Sequence, residues 1–340
     1  MRKDILRKLS RFEDLSREEV HEALTSIVKG EATEGQVGAF IMGMAMKGAS
    51  VEEITAAAEK FREWATPVPY ARPEELLDTA GTGGDKVDTF NVSTMAAFVA
   101  AAAGAKVAKH GNRAVSSKCG SADFVEALGA KVEVSPEGAL ELLKETNFAF
   151  LFAPLYHPAM KGVAKVRREV GVRSLFNLVG PLSNPARARR QLVGVYDASL
   201  VRPLAEVLKN LGVLRGFVVH GLEGLDEVSI SGKTLVGEVR EGEVLLYEVE
   251  PEDFGLKRWP VEAVAGGDCG KNAEIFKRIL EGKEGPETDF LVLNAAFALT
   301  AAGLVESPKE GVELARETLR SGKVAETVSR FVELSNRLAT

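Results

Sequence analysis

From Leu76 onward short apolar runs alternate with helical stretches, and this alternation limits the possible folds of the 340-residue chain more than any other feature. The runs LLDTA, KVAKHG, KVEVS, FAFLFAP, QLVGVYD and RGFVVHG are separated by MAAFVAAAAG, SADFVEALG, PEGALELLKET and a helix from about Ser199. Strand, helix, strand in this order predicts an α/β fold with a mainly parallel central sheet, because parallel neighbours need a crossover between them. Gly104 and Gly129 mark helix ends, and Ser135 with Pro136 marks a helix start. KTLVGEVREGEVLLYEVE reads as a hairpin turning near Glu241 and Gly242. Two or three helices are expected to follow it, one after GGDCGKN and one within FLVLNAAFALTAAG.

The first 65 or so residues read differently. Ser16 with Glu19, Thr33 with Gln36 and Ser50 with Glu53 have capping-box spacing, 17 residues apart, which a two-turn helix plus a loop explains without a true repeat. A small all-helical domain over 1–68 and a larger α/β domain over 75–340 are expected, separated by the proline-rich TPVPYARPEE. The segment from His157 to Pro185 is helical, basic in its first half and outside the sheet pattern, so helices from about 165–190 are expected to rejoin the small domain. Val37, Phe40, Ile41, Met44 and Met46 exceed one narrow apolar stripe, which points to a partner subunit.

Composition excludes some functions. With 43 basic against 49 acidic residues the net charge is −6, unsuited to general attraction to nucleic acid or anionic membrane. No run of about 18 apolar residues suggests a membrane span, and MRKDILRKLSRFEDLS does not resemble a secretory signal. Cys119 and Cys269 are too few for a disulfide framework and form no C-x-x-C pair for zinc, so a reduced, cytoplasmic setting is expected. Glutamine is limited to Gln36 and Gln191 while Glu, Lys and Arg abound, a balance seen in some heat-adapted proteins.

Two loops carry the chemistry. DTAGTGGDKVDTFNVST (78–94) is neither a Walker loop, since Val87 follows Lys86, nor a dinucleotide fingerprint, since Lys86 stands three beyond Gly83. What remains is a strand end, a glycine loop that permits close backbone approach, and a helix from about Thr94 preceded by Asn91 and Ser93. Read alone, it fits an ordinary turn and N-cap as well as a phosphate cradle. The next loop, KHGNRAVSSKCGSAD, crowds Lys109, His110, Asn112, Arg113, Ser116, Ser117 and Ser121 into one strand-to-helix connection leading to a helix near Ser121. An ordinary connection needs one cap and one turn residue, so this density favours a ligand site, although Lys109 or Arg113 alone would suit a solvated surface.

These stretches, with HPAMKGVAKVRREVGVRSLFNLVGPLSNPA (157–186), GLDEVS (224–229) and GGD followed by Asn272, resemble the anthranilate phosphoribosyltransferases of the tryptophan pathway, in family order over most of the chain. That family belongs to the glycosyltransferases that also include the pyrimidine nucleoside phosphorylases. The resemblance implies a Mg²⁺-dependent transfer of phosphoribose from 5-phosphoribosyl 1-diphosphate (PRPP) to the amine of anthranilate. It also implies two bound Mg²⁺ ions and a homodimer formed through the helical domains.

It further assigns residues. PRPP falls to Gly81, Gly84, Asp85, Thr89, Asn91, Val92, Ser93 and Thr94 in the first loop. In the second loop it falls to Lys109, His110, Gly111, Asn112, Arg113, Ala114, Val115, Ser116, Ser117 and Ser121. Anthranilate falls to Gly81, His110, Asn112 and Arg167, the last a guanidinium suited to a carboxylate, with Arg168 the competing choice. Metal falls to Ser93, Asp226 and Glu227, hard oxygen ligands; read alone, such an acidic pair would more often be solvated. Lys109 and Asn112 act electrostatically, and no general base is nominated because the aromatic amine is already neutral. His157 is expected to orient a loop or the acceptor channel, His21 and His220 to be structural, and Arg173, Arg187, Arg189 and Arg190 to be surface charges. Glu223 stands where many relatives carry Asp.

Two rivals remain. A nucleoside phosphorylase of the same architecture is disfavoured by KHGNRAVSS, where those enzymes carry a glycine-richer serine loop, and by the Arg167 helix. A nucleic-acid-binding relative without catalysis would need a basic cleft and a degraded GTGGD, and this chain is acidic and keeps that loop.

Overall fold

A computed structural model describes residues 1–84, 87–114 and 117–339. Asp85, Val115 and Ser116, assigned above to PRPP, lie outside the described residues.

Four helices open the chain: α1 (Lys3–Leu9), α2 (Arg17–Val28), α3 (Glu34–Lys47) and α4 (Val51–Trp64). The three expected capping boxes form, each pairing the Ser or Thr side chain with the third residue's backbone and the reverse. The helices they start run 12 to 14 residues, longer than the two turns expected. The additional α1 has Arg2 at its N-cap with no side-chain cap bond, so no local signal announces it.

Five parallel strands follow: β1 (Leu76–Gly81), β2 (Lys106–Gly111), β3 (Phe148–Phe152), β4 (Arg190–Gly194) and β5 (Arg215–Gly221). The antiparallel hairpin β6 (Thr234–Arg240) and β7 (Glu243–Val249) completes a sheet of order β3-β2-β1-β4-β5-β6-β7. Its turn is the expected one, with φ of 53° at Glu241 and 77° at Gly242. The remaining helices are α5 (Val92–Ala102), α6 (Ser121–Ala127), α7 (Pro136–Thr146), α8 (Ala153–Tyr156), α9 (Lys161–Val170), α10 (Leu175–Val179) and α11 (Val201–Asn210). The chain closes with α12 (Cys269–Leu280), α13 (Pro286–Ala302), α14 (Pro308–Arg320) and α15 (Lys323–Leu338).

Two expectations fail here. Four helices close the chain rather than two or three. KVEVS is not a strand: Val134 makes a single bridge to Ala339, and Val132 and Val134 are buried beneath it. Alternation there records one buried face, which an unpaired extended segment shows as well as a strand does.

The sheet divides its residues between two cores. Leu192, Phe217 and Val219 face a cluster built with α5, α12, α13 and α15, where Phe98 stacks on Phe148 at 4.1 Å. Val193 and Val218 face the other, shared with α1 to α4, α9, α10 and α11. Val163 and Val166 of α9 and Leu175, Phe176, Leu178 and Val179 of α10 thus complete the core of the N-terminal helices. Arg62 of α4 sews this unit down: its Nε donates to the Leu182 carbonyl at 2.7 Å, and burial lowers its pKa to about 10.

Candidate active site

The chain runs outward from β1 to β2 and β3, then returns to β4 on the other side of β1. Loops leaving the carboxyl ends of β1 and β4 therefore diverge and open a crevice, the place where sheets of this kind bind ligands.

Asp226 sits in that crevice. A Cβ on Gly81, the last residue of β1, would lie 2.9 Å from Asp226 Oδ2, and one on Gly194, the last residue of β4, would collide with the Asp226 backbone carbonyl. Both strand ends must be glycine for the acidic loop to rest on them. Gly194 was not singled out from the sequence, although an isolated glycine in a strand is the usual sign of close backbone approach. The first loop is tied to β4 as well, with Thr82 N–H donating to the Gly194 carbonyl at 2.9 Å and Tyr196 N–H to Thr82 Oγ1 at 3.2 Å.

Helix α5 begins at Val92, two residues before the expected start, so Ser93 and Thr94 belong to its first turn. Asn91 occupies the N-cap without a side-chain cap bond; its Nδ2 donates across the crevice to the Cys119 carbonyl at 2.9 Å, and its Oδ1 is buried without a partner among the described residues. Thr79 Oγ1 donates to the Ser93 carbonyl at 2.9 Å and fixes this turn against β1.

Lys109 is no surface charge. It is 2% exposed, and its Nζ donates to the Thr79 carbonyl and, at 3.3 Å, to Thr79 Oγ1. Burial lowers its pKa, while Asp78 and Glu227 act in the opposite direction, so the ammonium lies within electrostatic reach of the acidic loop. Asp78 is fully buried; it accepts from His110 N–H at 3.1 Å and from Asn184 Nδ2 at 2.8 Å, and desolvation raises its pKa to about 6. His110 and His157 stand ring to ring at 4.9 Å. Burial lowers their pKa values to about 3 and about 4, so both are neutral at pH 7. His110 Nδ1 pairs with the Gly180 carbonyl at 3.2 Å, while both Nε2 atoms are buried without a hydrogen-bond partner among the described residues.

The second loop is pinned to the helix it feeds. Ser121 Oγ donates to the Asn112 carbonyl and accepts from its N–H, each at 3.2 Å, and Asp123 accepts from Ala114 N–H at 2.9 Å. Arg113 pairs with Asp123 and Glu126 and lies over the Phe152 ring at 5.3 Å, so its charge is already matched within the chain. Gly111 runs close to Ser121 and Phe150, and Ser117 is exposed.

A third loop joins these two. Thr89 forms a bridge with Ala265, and Gly266 N–H donates to the Asp88 carbonyl at 2.8 Å. Contrary to the expectation of a reduced pair, Cys119 and Cys269 form a disulfide with Cα atoms 5.2 Å apart, linking the second loop to the start of α12. The partners are 150 residues apart, and no spacing rule connects them.

On α9, Arg167 is half-buried on the side of Val163 and Val166 and lies over Phe176 at 5.4 Å, whereas Arg168 is exposed. Arg173 is exposed, as a surface charge would be, but it is also engaged. Its Nη2 donates to the Gly84 carbonyl, and its guanidinium lies 4.2 Å from the Tyr196 ring centroid, so it bridges the α9–α10 connection to the first loop. Arg189 and Arg190 are likewise spent on carbonyls, those of Gly212 and Glu74. His21 and His220 bond the carbonyls of Ala56 and Val195, as structural residues would.

Asp226, Glu227 and Ser93 carry oxygen donors of the kind a hard cation takes, and Asp226 is seated at the ends of β1 and β4. Among the described residues no three His, Cys, Asp or Glu side chains form a self-sufficient metal cage. Two carboxylates and a hydroxyl beside a glycine loop instead suit an ion such as Mg²⁺, which takes the rest of its shell from water and substrate phosphates.

Two family models cover the chain: the helical bundle domain of a glycosyl transferase family matches residues 3–65, and the a/b domain of that family matches 73–325. Anthranilate phosphoribosyltransferase of Persephonella marina is 54% identical over 336 residues, covering 98% of this chain and 99% of the relative. The crystal structure of the enzyme of that name from Thermus thermophilus is 44% identical, superposes with a TM-score of 0.91, and covers 98% of this chain and 99% of its own. Its Saccharomyces cerevisiae counterpart in complex with PRPP and Mg is 30% identical with a TM-score of 0.90, covering 99% of each chain. Among the described residues no helix is long and apolar enough to cross a membrane. By sequence, by domain order and by the crevice at β1 and β4, the chain belongs to the anthranilate phosphoribosyltransferases of the glycosyl transferase family.

Proposed function

We propose that this crevice transfers the phosphoribosyl group of PRPP to the amine of anthranilate, giving N-(5-phosphoribosyl)anthranilate and diphosphate in tryptophan biosynthesis. The observation that carries the site reading is Asp226 resting on Gly81 and Gly194, with Glu227 within electrostatic reach of Lys109. The phosphates of PRPP lie against the first loop and the start of α5, where backbone amides and the positive helix end favour anions. Ser93, Asp226 and Glu227 hold two Mg²⁺ ions. Bound there, Mg²⁺ offsets the negative charge that develops on diphosphate as it departs.

The second loop supplies the other wall, with Lys109, Asn112 and Ser121 facing the ribose and its phosphates. Arg113 enters this wall through its backbone, since Asp123 and Glu126 already hold its guanidinium. Arg167, half-buried, receives the anthranilate carboxylate, and neutral His110 and Asn112 line the acceptor's place. The amine nitrogen donates its lone pair to C1 of the ribose while the C1–oxygen bond breaks and its electrons leave with diphosphate; the nitrogen then releases a proton to diphosphate or solvent. Neither buried histidine is basic enough to be required for this, in keeping with catalysis by positioning and charge.

Closure of the N-terminal helices over the crevice excludes water from the activated ribose. Val37, Phe40, Ile41 and Met44, expected to meet a partner, are instead buried in the chain's own core, and of that set Met46 is left exposed; with Met42 and Phe12 it suits a homodimer through these helices. A cytoplasmic setting suits a biosynthetic enzyme of this family, and intracellular proteins of heat-adapted cells do carry disulfides such as Cys119–Cys269.

The test is loss of anthranilate fluorescence that depends on both PRPP and Mg²⁺. The double variant Asp226→Ala with Glu227→Ala is expected to lower turnover about a hundredfold or more. Turnover and Mg²⁺ dependence that both survive it would remove the metal assignment.

A further inference from the structure

From Phe290 to Ala302 helix α13 is apolar apart from Asn294 and Thr300, and Asn294, near its centre, is 0% exposed. An amide buried in such a helix lowers stability unless its hydrogen bonds are made, and asparagine is a poorer helix former than the alanines beside it. Asn294 makes two of them with both backbone groups of a single residue far away in sequence. Its Oδ1 accepts from Val228 N–H at 2.9 Å, and its Nδ2 donates to the Val228 carbonyl at 3.0 Å and to Phe290 in its own helix at 3.0 Å. The side chain therefore pairs with Val228 as a neighbouring strand would, gripping the residue directly after Glu227.

The acidic loop is anchored on both sides of the carboxylates. Before them, Leu225 and Gly221 exchange backbone bonds of 2.9 and 3.1 Å as an extension of β5. After them stands the Asn294 fork, followed by Ser229, whose N–H donates to Thr234 Oγ1 at 2.8 Å and whose hydroxyl donates to Glu223. Thr234, Glu223 and Gly221 all belong to the loop or its flanking strands. Asn294 is the grip on Val228 that comes from a separate layer of the fold, and it fixes the loop's height above the ends of β1 and β4.

We infer that Asn294 is a positioning residue for the metal site, holding the Val228 backbone so that Asp226 and Glu227 present their carboxylates at the crevice. This rests on the metal reading above. Outer partners of metal ligands typically change affinity about 10- to 100-fold when removed.

The experiment measures Mn²⁺ binding to the PRPP complex by electron paramagnetic resonance, alongside the Mg²⁺ concentration for half-maximal turnover, the KM for anthranilate and the thermal midpoint. Asn294→Ala is expected to weaken Mn²⁺ binding and raise the Mg²⁺ requirement about tenfold, with the KM for anthranilate within twofold of the parent. Asn294→Asp keeps the shape but sets an acceptor against the Val228 carbonyl; it is expected to weaken Mn²⁺ binding at least as much, and it carries the test if the alanine variant does not fold. Thr300→Ala, at another buried polar position of α13 that bonds only within its own helix, is expected to lower the thermal midpoint and leave Mn²⁺ binding unchanged. The inference is overturned if the Asn294 variants lose thermal stability like Thr300→Ala while binding Mn²⁺ within twofold of the parent. If the Asp226 and Glu227 double variant itself binds Mn²⁺ like the parent, the metal reading has failed instead.

Discussion

The loops after β1 and β2 occupy equivalent positions, each joining a parallel strand to a helix at the crevice, yet they are held by different means. The second is fastened at its start by its own helix, where Ser121, Asp123 and Glu126 of α6 reach back to Asn112, Ala114 and Arg113 within a dozen or so residues, and distant segments hold it at Cys119. The first is shaped from a distance, by Gly194 and Tyr196 after β4, by Asp226 over Gly81, by Ala265, and by Arg173 from the α9–α10 connection. A locally fastened wall is ready before any ligand arrives. A wall shaped by four other segments changes when they do, and one of those segments packs with the N-terminal helices.

The largest expected effect tests whether the second loop is self-supporting. The Cys119–Cys269 disulfide closes a loop of 150 residues, and the chain-entropy model gives it about 5 kcal/mol of stabilisation. Replacing both cysteines with alanine is therefore expected to lower the unfolding free energy by an amount of that order in denaturant titrations. Assayed well below its melting point, the variant should keep a KM for PRPP within twofold of the parent. A steep rise in KM would mean that the loop depends on the distant bond after all.

Asp78 lies beneath both loops, and its effect depends on pH. Burial raises its folded pKa to about 6, above the unfolded value, so the native state binds the proton more tightly. That contribution is complete below about pH 4 and is lost as pH rises through 6, a change of about 3 kcal/mol. The stability of the parent relative to Asp78→Asn should therefore grow by about that amount between pH 7 and pH 4. Parallel pH profiles for the two proteins would refute it.

The smallest effect isolates the first loop. Arg173→Ala removes the link from the α9–α10 connection to Gly84, and is expected to raise the KM for PRPP about threefold, or about 0.6 kcal/mol, with the thermal midpoint unchanged. The same change accompanied by a lower midpoint would class Arg173 with ordinary structural residues.

What could be read from the residues follows the range of the forces involved. Capping boxes at Ser16, Thr33 and Ser50 and the turn at Glu241 and Gly242 are settled within four residues, and all were legible. The start of α5 lies two residues earlier than expected because Asn91, Ser93 and Thr94 all suit an N-cap and the sequence does not choose among them; Asn91 takes the place while its amide nitrogen bonds Cys119, 28 residues away. KVEVS shows the alternation of a strand, but its neighbour is the chain's last turn rather than the sheet. In the site, glycines and clustered polar residues advertised the two loops. The disulfide, the Arg173 bridge and the seat of Asp226 on Gly194 arise only when the strand order β2-β1-β4 is known, and no local pattern encodes that order.

The core of the N-terminal helices is finished by α9 and α10, which lie beyond three strands of the sheet. A ribosome therefore releases α1 to α4 roughly a hundred residues before the helices that cover them, about 5 to 20 s at ordinary elongation rates. During that interval Phe61 lacks Phe176, which meets it edge to face, and Gly38 lacks Val166 and Val170. The small unit is first in sequence but cannot be first to complete its fold.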